Sequence, residues 1–185
     1  MAANWIPVEN REGIQPIQTT NTATPSQYQT GQSQFFGQAH PLGTIVRADE
    51  QTTPLGEGEF IYLGGTSTTA VGSLVSYNGI TGLTTLTPNT AATNLPVAVA
   101  MSANLKGSFG WYQISGVATI LKTAVKISPG VRLFQSATAA RVFATSTAGK
   151  LLFNAISVNA ATVASATSTI QVQIQRPFLE GIATP

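Results

Sequence analysis

Four carboxylates, Asp49, Glu50, Glu57 and Glu59, are the side chains whose spacing best suits chemistry in this chain. They flank Gln51-Thr52-Thr53-Pro54-Leu55-Gly56, a segment whose Thr, Pro and Gly residues read as a loop. If residues 44–48 and 59–63 pair as a hairpin, all four converge near its tip. Carboxylate oxygens gathered in that way are hard ligands for Ca2+. Two carboxyl groups set across a cleft are instead the acid and base of a glycosidase. The plainer reading is a solvated turn, because the ligand spacing of an EF-hand is missing and nothing else points to sugar chemistry. These four residues are thus a weak candidate cluster, and the expectation is no metal and no cofactor.

Other catalytic arrangements lack parts. His40 is the only imidazole, so a hydrolytic triad would need it together with Asp49 and a serine, and no Gly-x-Ser-x-Gly elbow is present. Beside Pro41 at a change of texture, His40 reads as a loop residue. Gly56-Glu57-Gly58-Glu59 leads into a strand and lacks the Lys and Ser/Thr of a phosphate loop. Cysteine is absent, which removes disulfides and thiolate metal sites. No catalytic residue is assigned, and the chain is not expected to be an enzyme or to have a small-molecule substrate.

The elements that must position these residues are strands. Gly110-Trp111-Tyr112-Gln113-Ile114-Ser115-Gly116-Val117-Ala118-Thr119-Ile120-Leu121 is aromatic and β-branched around one glycine, and no helical apolar stripe runs through it. It reads as two adjoining strands, with Gly116 supplying a turn or bulge before the chain runs back. Gly43–Ala48, Glu59–Leu63, Ser73–Tyr77, Leu95–Met101, Val131–Phe134, Arg141–Ala144 and Leu151–Ile156 are further strands. Asn78-Gly79 suits a type I′ hairpin turn. Along Leu95–Met101, small Pro96, Ala98 and Ala100 leave room for another layer to approach. In the last strand Ile170, Val172 and Ile174 alternate with Thr169, Gln171, Gln173 and Gln175 until Arg176-Pro177 ends the pattern. Residues 159–168 are ambiguous: alanines permit a short helix, while Thr162, Val163 and Thr167 oppose one. The fold class that follows is all-β, a compact β-sandwich or β-barrel over residues 43–185 preceded by an extended N-terminal arm over 1–42.

That arm differs in composition. Gln15, Gln18, Gln27, Gln29, Gln32, Gln34 and Gln38 lie among Thr, Asn and Pro, without a sustained apolar period. Yet Trp5, Ile6, Ile14, Ile17, Tyr28, Phe35 and Phe36 are spaced as anchors of an arm lying across a neighbour's groove. Only 9% of all 185 residues are charged, against about 25% in ordinary soluble proteins. A surface poor in charge is cheap to desolvate, which suits a chain packed against other chains. The net charge of +2 carries no phosphate-tracking stripe, so nucleic acid is not an expected partner. Six of seven acids fall in the first sixty residues and seven of nine bases after residue 100, a polarity that can steer subunits together. The start, Met-Ala-Ala-Asn-Trp-Ile-Pro, has neither a basic n-region nor an apolar h-region, so no secretion signal is expected, and Leu95–Met101 is too short to span a bilayer. A soluble protein made in a cytoplasm, with no membrane partner, is expected.

Leu42-Gly43-Thr44-Ile45-Val46-Arg47-Ala48, Gly56-Glu57-Gly58-Glu59-Phe60-Ile61-Tyr62-Leu63, Pro96-Val97-Ala98-Val99-Ala100-Met101 and Gly110-Trp111-Tyr112-Gln113-Ile114-Ser115-Gly116 occur in that order. In this the chain resembles the capsid decoration (cement) proteins of tailed bacteriophages, over about residues 42–135 and more loosely at the ends. The resemblance implies a structural virion protein on the outer capsid surface. It would associate with itself, as a homotrimer, and staple neighbouring subunits of the major capsid protein. It implies no active site. A head fibre or tail-associated protein that binds a host surface, and a glycan-acting β-sandwich enzyme, are the alternatives.

Overall fold

The structure, a computed structural model, describes residues 4–8, 17, 38–88, 93–104 and 106–181. Among them there is no helix. The strands are β1 (Trp5–Pro7), β2 (Ile45–Glu50), β3 (Glu57–Gly65), β4 (Leu74–Tyr77), β5 (Leu83–Leu86) and β6 (Val97–Ala100). They continue as β7 (Phe109–Leu121), β8 (Arg132–Gln135), β9 (Val142–Phe143), β10 (Leu151–Ser157) and β11 (Thr169–Leu179). The all-β class expected from the alternating pattern is the class observed.

Both architectures considered from the sequence contribute. The strands form one sheet in the order β1-β2-β3-β5-β4-β6-β7-β11-β10-β8-β9, and β3 also pairs with β7. That extra pairing, from Glu59 opposite Ser115 to Gly64 opposite Phe109, closes β3, β5, β4, β6 and β7 into a five-stranded barrel. Ile61, Leu63, Val75, Ala98, Ala100, Tyr112 and Ile114 form its apolar interior. Close by, a buried polar group joins Tyr112 to the chain around it. Asn104 Nδ2 donates to the Tyr112 hydroxyl at 3.3 Å, and Ser102 Oγ donates to Asn104 Oδ1 at 2.8 Å. Partners of this kind are what make a buried amide and phenol tolerable.

The sheet continues past the barrel and packs back on it as a second layer. Leu74, Val97 and Val99 on the barrel's outer side meet Ala118, Ile120, Leu133, Leu152, Ile170 and Val172 of the extension. β6 is therefore apolar on both faces, but the second layer packs on its valines, whereas the small alanines expected to admit another layer face the barrel interior. On the other flank, Val46, Ala48, Phe60, Tyr62 and Trp111 bury Trp5 and Ile17.

Several local expectations are corrected. Gly116 does not reverse the chain; β7 continues through it, and the glycine, at φ +95°, sits next to the bulge where β7 slips register against β3 between Gln113 and Ser115. The side chain of Gln113 explains this, because its Nε2 donates to the carbonyls of Ser115 at 3.0 Å and Val117 at 3.2 Å, which pins the backbone across the bulge. The reversal at Asn78-Gly79 is real but wider than a type I′ turn. Neither residue has positive φ; Gly82 does, at +66°, and Asn78 Oδ1 accepts from the N–H groups of Ile80 and Thr81. Arg176-Pro177 does not end the last strand. Arg176 takes φ +46° and β11 continues to Leu179. Residues 159–168 form no helix: Val163 and Ile127 exchange backbone hydrogen bonds of 2.9 and 3.1 Å, and a turn follows in which the Thr167 N–H donates to the Ala164 carbonyl at 3.2 Å.

At Gly116 an added Cβ would lie 2.5 Å from the Glu57 carbonyl oxygen. Gly116→Ala is therefore expected to destabilise the fold by more than about 2 kcal/mol, from the positive φ and the clash together. Denaturant unfolding of the variant checks this, and an unchanged midpoint would show that the bulge has no need of glycine.

Candidate functional site

The acidic hairpin forms as the sequence suggested: Ile45 pairs with Ile61, Arg47 with Glu59 and Asp49 with Glu57. All four carboxylates lie at or near its tip, but they do not converge on a common point. Glu57 and Glu59 are two apart on one strand and so share a face; Glu57 is ion-paired with Arg47, and Glu59 with Arg176 Nη2 at 3.2 Å. Glu50 turns inward and is 8% exposed. No group of three or more His, Cys, Asp or Glu able to hold a metal exists among the described residues. Of the four, Asp49 and Glu57 stand directly opposite one another across the hairpin, while Glu57 and Glu59 each meet an arginine.

Glu50 instead fastens the N-terminal strand. Its Oε1 accepts from the backbone N–H of Asn4 at 2.7 Å and from the hydroxyl and N–H of Thr52, while Oε2 accepts from the hydroxyl and N–H of Thr53. Burial by itself would raise its pKa, but the donors from Thr53, Thr52 and Asn4 outweigh burial and hold it at about 2. β1 then pairs antiparallel with β2, Trp5 opposite Glu50 and Pro7 opposite Ala48.

This changes the part assigned to two arm residues. Trp5 and Ile17, expected to anchor on a neighbour, are 3% and 4% exposed within this chain's own core. Trp5 meets Phe60 edge-on with ring centroids 4.9 Å apart. Ile6 is exposed, while Ile14, Tyr28, Phe35 and Phe36 lie outside the described residues. At the other end of the stretch, Ala39 N–H donates to the Tyr62 hydroxyl at 3.2 Å. His40 packs on Tyr62 and Trp111, with ring centroids 5.0 and 5.4 Å away. It is an aromatic spacer in this cluster, and its burial lowers its pKa.

The surface most suited to a partner is one the sequence only half revealed. On the outer face of β7, β11 and β10, Gln171 stands opposite Thr119, Gln173 lies between Val117 and Ile156, and Gln175 stands opposite Ser115. Phe153 pairs with Phe178, and the two rings stack at 4.9 Å and 12°. Each phenylalanine is 37% exposed and Ile156 41%. Beside Phe153 the bulge at Asn154, φ +56°, opens a hollow of about 210 Å³ against Arg132. The glutamine alternation was legible. Phe178 was not, because it follows the Arg-Pro pair that reads as a strand end.

Because Glu50 is ionised in the folded protein with a depressed pKa, its contribution is complete above the ordinary carboxylate value of 4.5 and is lost as pH falls toward about 2. The thermal midpoint should drop across that window, and Glu50→Gln should show a lower midpoint at neutral pH and a flatter acid dependence. Parallel curves for both proteins would remove Glu50 as the fastening. Comparison with protein-family models finds none that matches this chain, and a search of curated proteins finds no match.

Proposed function

We propose that this chain is a structural virion protein that decorates a bacteriophage capsid, cementing neighbouring major capsid protein subunits and associating with itself as a homotrimer. The observation that carries the reading is the outer face of β7, β11 and β10: glutamine, threonine and valine around two stacked, part-exposed phenylalanines. Apolar rings gain on leaving water, and amides that find hydrogen-bond partners in the contact cost far less to desolvate than carboxylates and ammonium groups. Shape-matched packing against a lattice is the use such a face serves best. Copies repeated over a shell multiply a modest contact into large total stability.

The resemblance in ordered landmarks over residues 42–135 supports the same role, as does the 9% charged composition. Within residues 1–42, Ile6, Ile14, Tyr28, Phe35 and Phe36 are the anchors left to reach a partner. Trp5 and Ile17 serve instead to hold the base of that stretch to the body.

The double variant Phe153→Ser, Phe178→Ser tests this. Both rings are part-exposed, so the protein should still fold as judged by circular dichroism. Co-sedimentation with particles stripped of the protein should fall roughly tenfold or more, as loss of aromatic anchors does. Undiminished binding to shells, or binding to host cells with none to shells, would overturn the assignment.

A further inference from the structure

Just beyond Leu121, two cations share one cleft, and no acid among the described residues balances them. Lys122 continues the buried side of β7 set by Ala118 and Ile120, and is 1% exposed. Its Nζ donates to the backbone carbonyls of Val125 at 2.8 Å, Thr123 at 3.2 Å and Ser165 at 3.4 Å. An ammonium group supplies three protons for three such bonds and a neutral amine only two, so the cage suits the charged form. Burial opposes that form and lowers the pKa.

Arg141 enters the same cleft, its Nη1 donating to the Lys122 carbonyl at 2.9 Å. A guanidinium has five N–H donors. The remaining four find no acceptor among the described residues, and neither cation meets a carboxylate there. The cleft measures about 380 Å³, and the hydroxyl-bearing residues Thr138, Ser165, Thr167 and Ser168 are among those that line it, with no acid in its walls. Two like charges held together without a counter-charge are costly. Folding alone does not need the unused fork of Arg141.

We infer that this cleft is an oxyanion site for a phosphate-type group, gripped by Arg141 and ringed by the hydroxyls of Thr138, Ser165, Thr167 and Ser168. Lys122 supplies positive charge from beneath the floor. A tetrahedral anion matches the donors better than a planar carboxylate does, because they come from three separate segments and so from several directions. Its charge of up to two also matches the two cations. A guanidinium fork holds such a group through two parallel bonds. The inference does not depend on the capsid role.

The test is a titration of the full-length, isotope-labelled protein, followed by amide chemical shifts, with sodium chloride at matched ionic strength as control. The probes are inorganic phosphate and O-phosphoserine. Saturable shifts at residues 138–141 and 165–168 are expected, and Arg141→Gln should weaken binding roughly tenfold or more, the worth of a charge-assisted pair. Arg141→Lys, which keeps the charge but not the fork, should weaken it less. Phosphoserine binding as tightly as phosphate identifies an esterified phosphoryl group as the ligand; phosphate binding alone identifies the free ion. Failure of both probes to exceed the chloride control, or equal affinity in Arg141→Gln with its spectrum otherwise native, would overturn the site.

Discussion

The fold depends on one strand serving three sets of neighbours. β7 is hydrogen-bonded to β3, β6 and β11, and each of the three apolar clusters takes residues from it. Trp111 faces the N-terminal flank, Tyr112 and Ile114 the barrel interior, and Ala118 and Ile120 the second layer. Ordinary strands run to about six residues, and this one has thirteen. A strand that leaves one sheet wall to enter another must bend where they part. Gly116 provides that bend, and Gln113 occupies the carbonyls that the irregular ladder leaves open.

Around this spine the chain separates charge from contact. Carboxylates are spent on local fastening: Glu50 on the N-terminal strand, Glu57 on Arg47 and Glu59 on Arg176. The Glu59 pair crosses β7 and holds Arg176 at one margin of the glutamine face, as Arg132 of β8 stands at the other, beside Ile156. Surface pairs of this sort contribute little stability, typically under about 1 kcal/mol. Their effect here lies in where they leave the charge. The glutamines then offer hydrogen bonds in either direction, and the stacked phenylalanines offer area.

Much of this was readable from residue order, for local reasons. Alternation placed β11, the β2–β3 hairpin and the two-faced character of β6, since each depends only on neighbouring side chains. Closure of the barrel was not readable, because pairing β3 with β7 joins residues some fifty positions apart and leaves no mark on either strand alone. Glycine with positive φ serves turns and bulges equally, which is why Gly116 read as a reversal; the deciding bond belongs to Gln113. Arg176-Pro177 has the look of a stop, yet a single left-handed residue lets the strand resume. Lys122 carried a signal in its alternation with Ile120, but an ammonium in a core position needs a carbonyl cage that only the folded loops supply. The acidic cluster could be located and not interpreted, because Glu50 finds its donors in the Thr-rich loop and in Asn4.

The sheet ends in two very short strands, β1 with three residues and β9 with two. Open β edges template further chains rung by rung, and long ones seed fibrils. Stubs of this length offer a newcomer almost no ladder to climb. The chain is thereby guarded against knitting sideways through these two edges into endless ribbon.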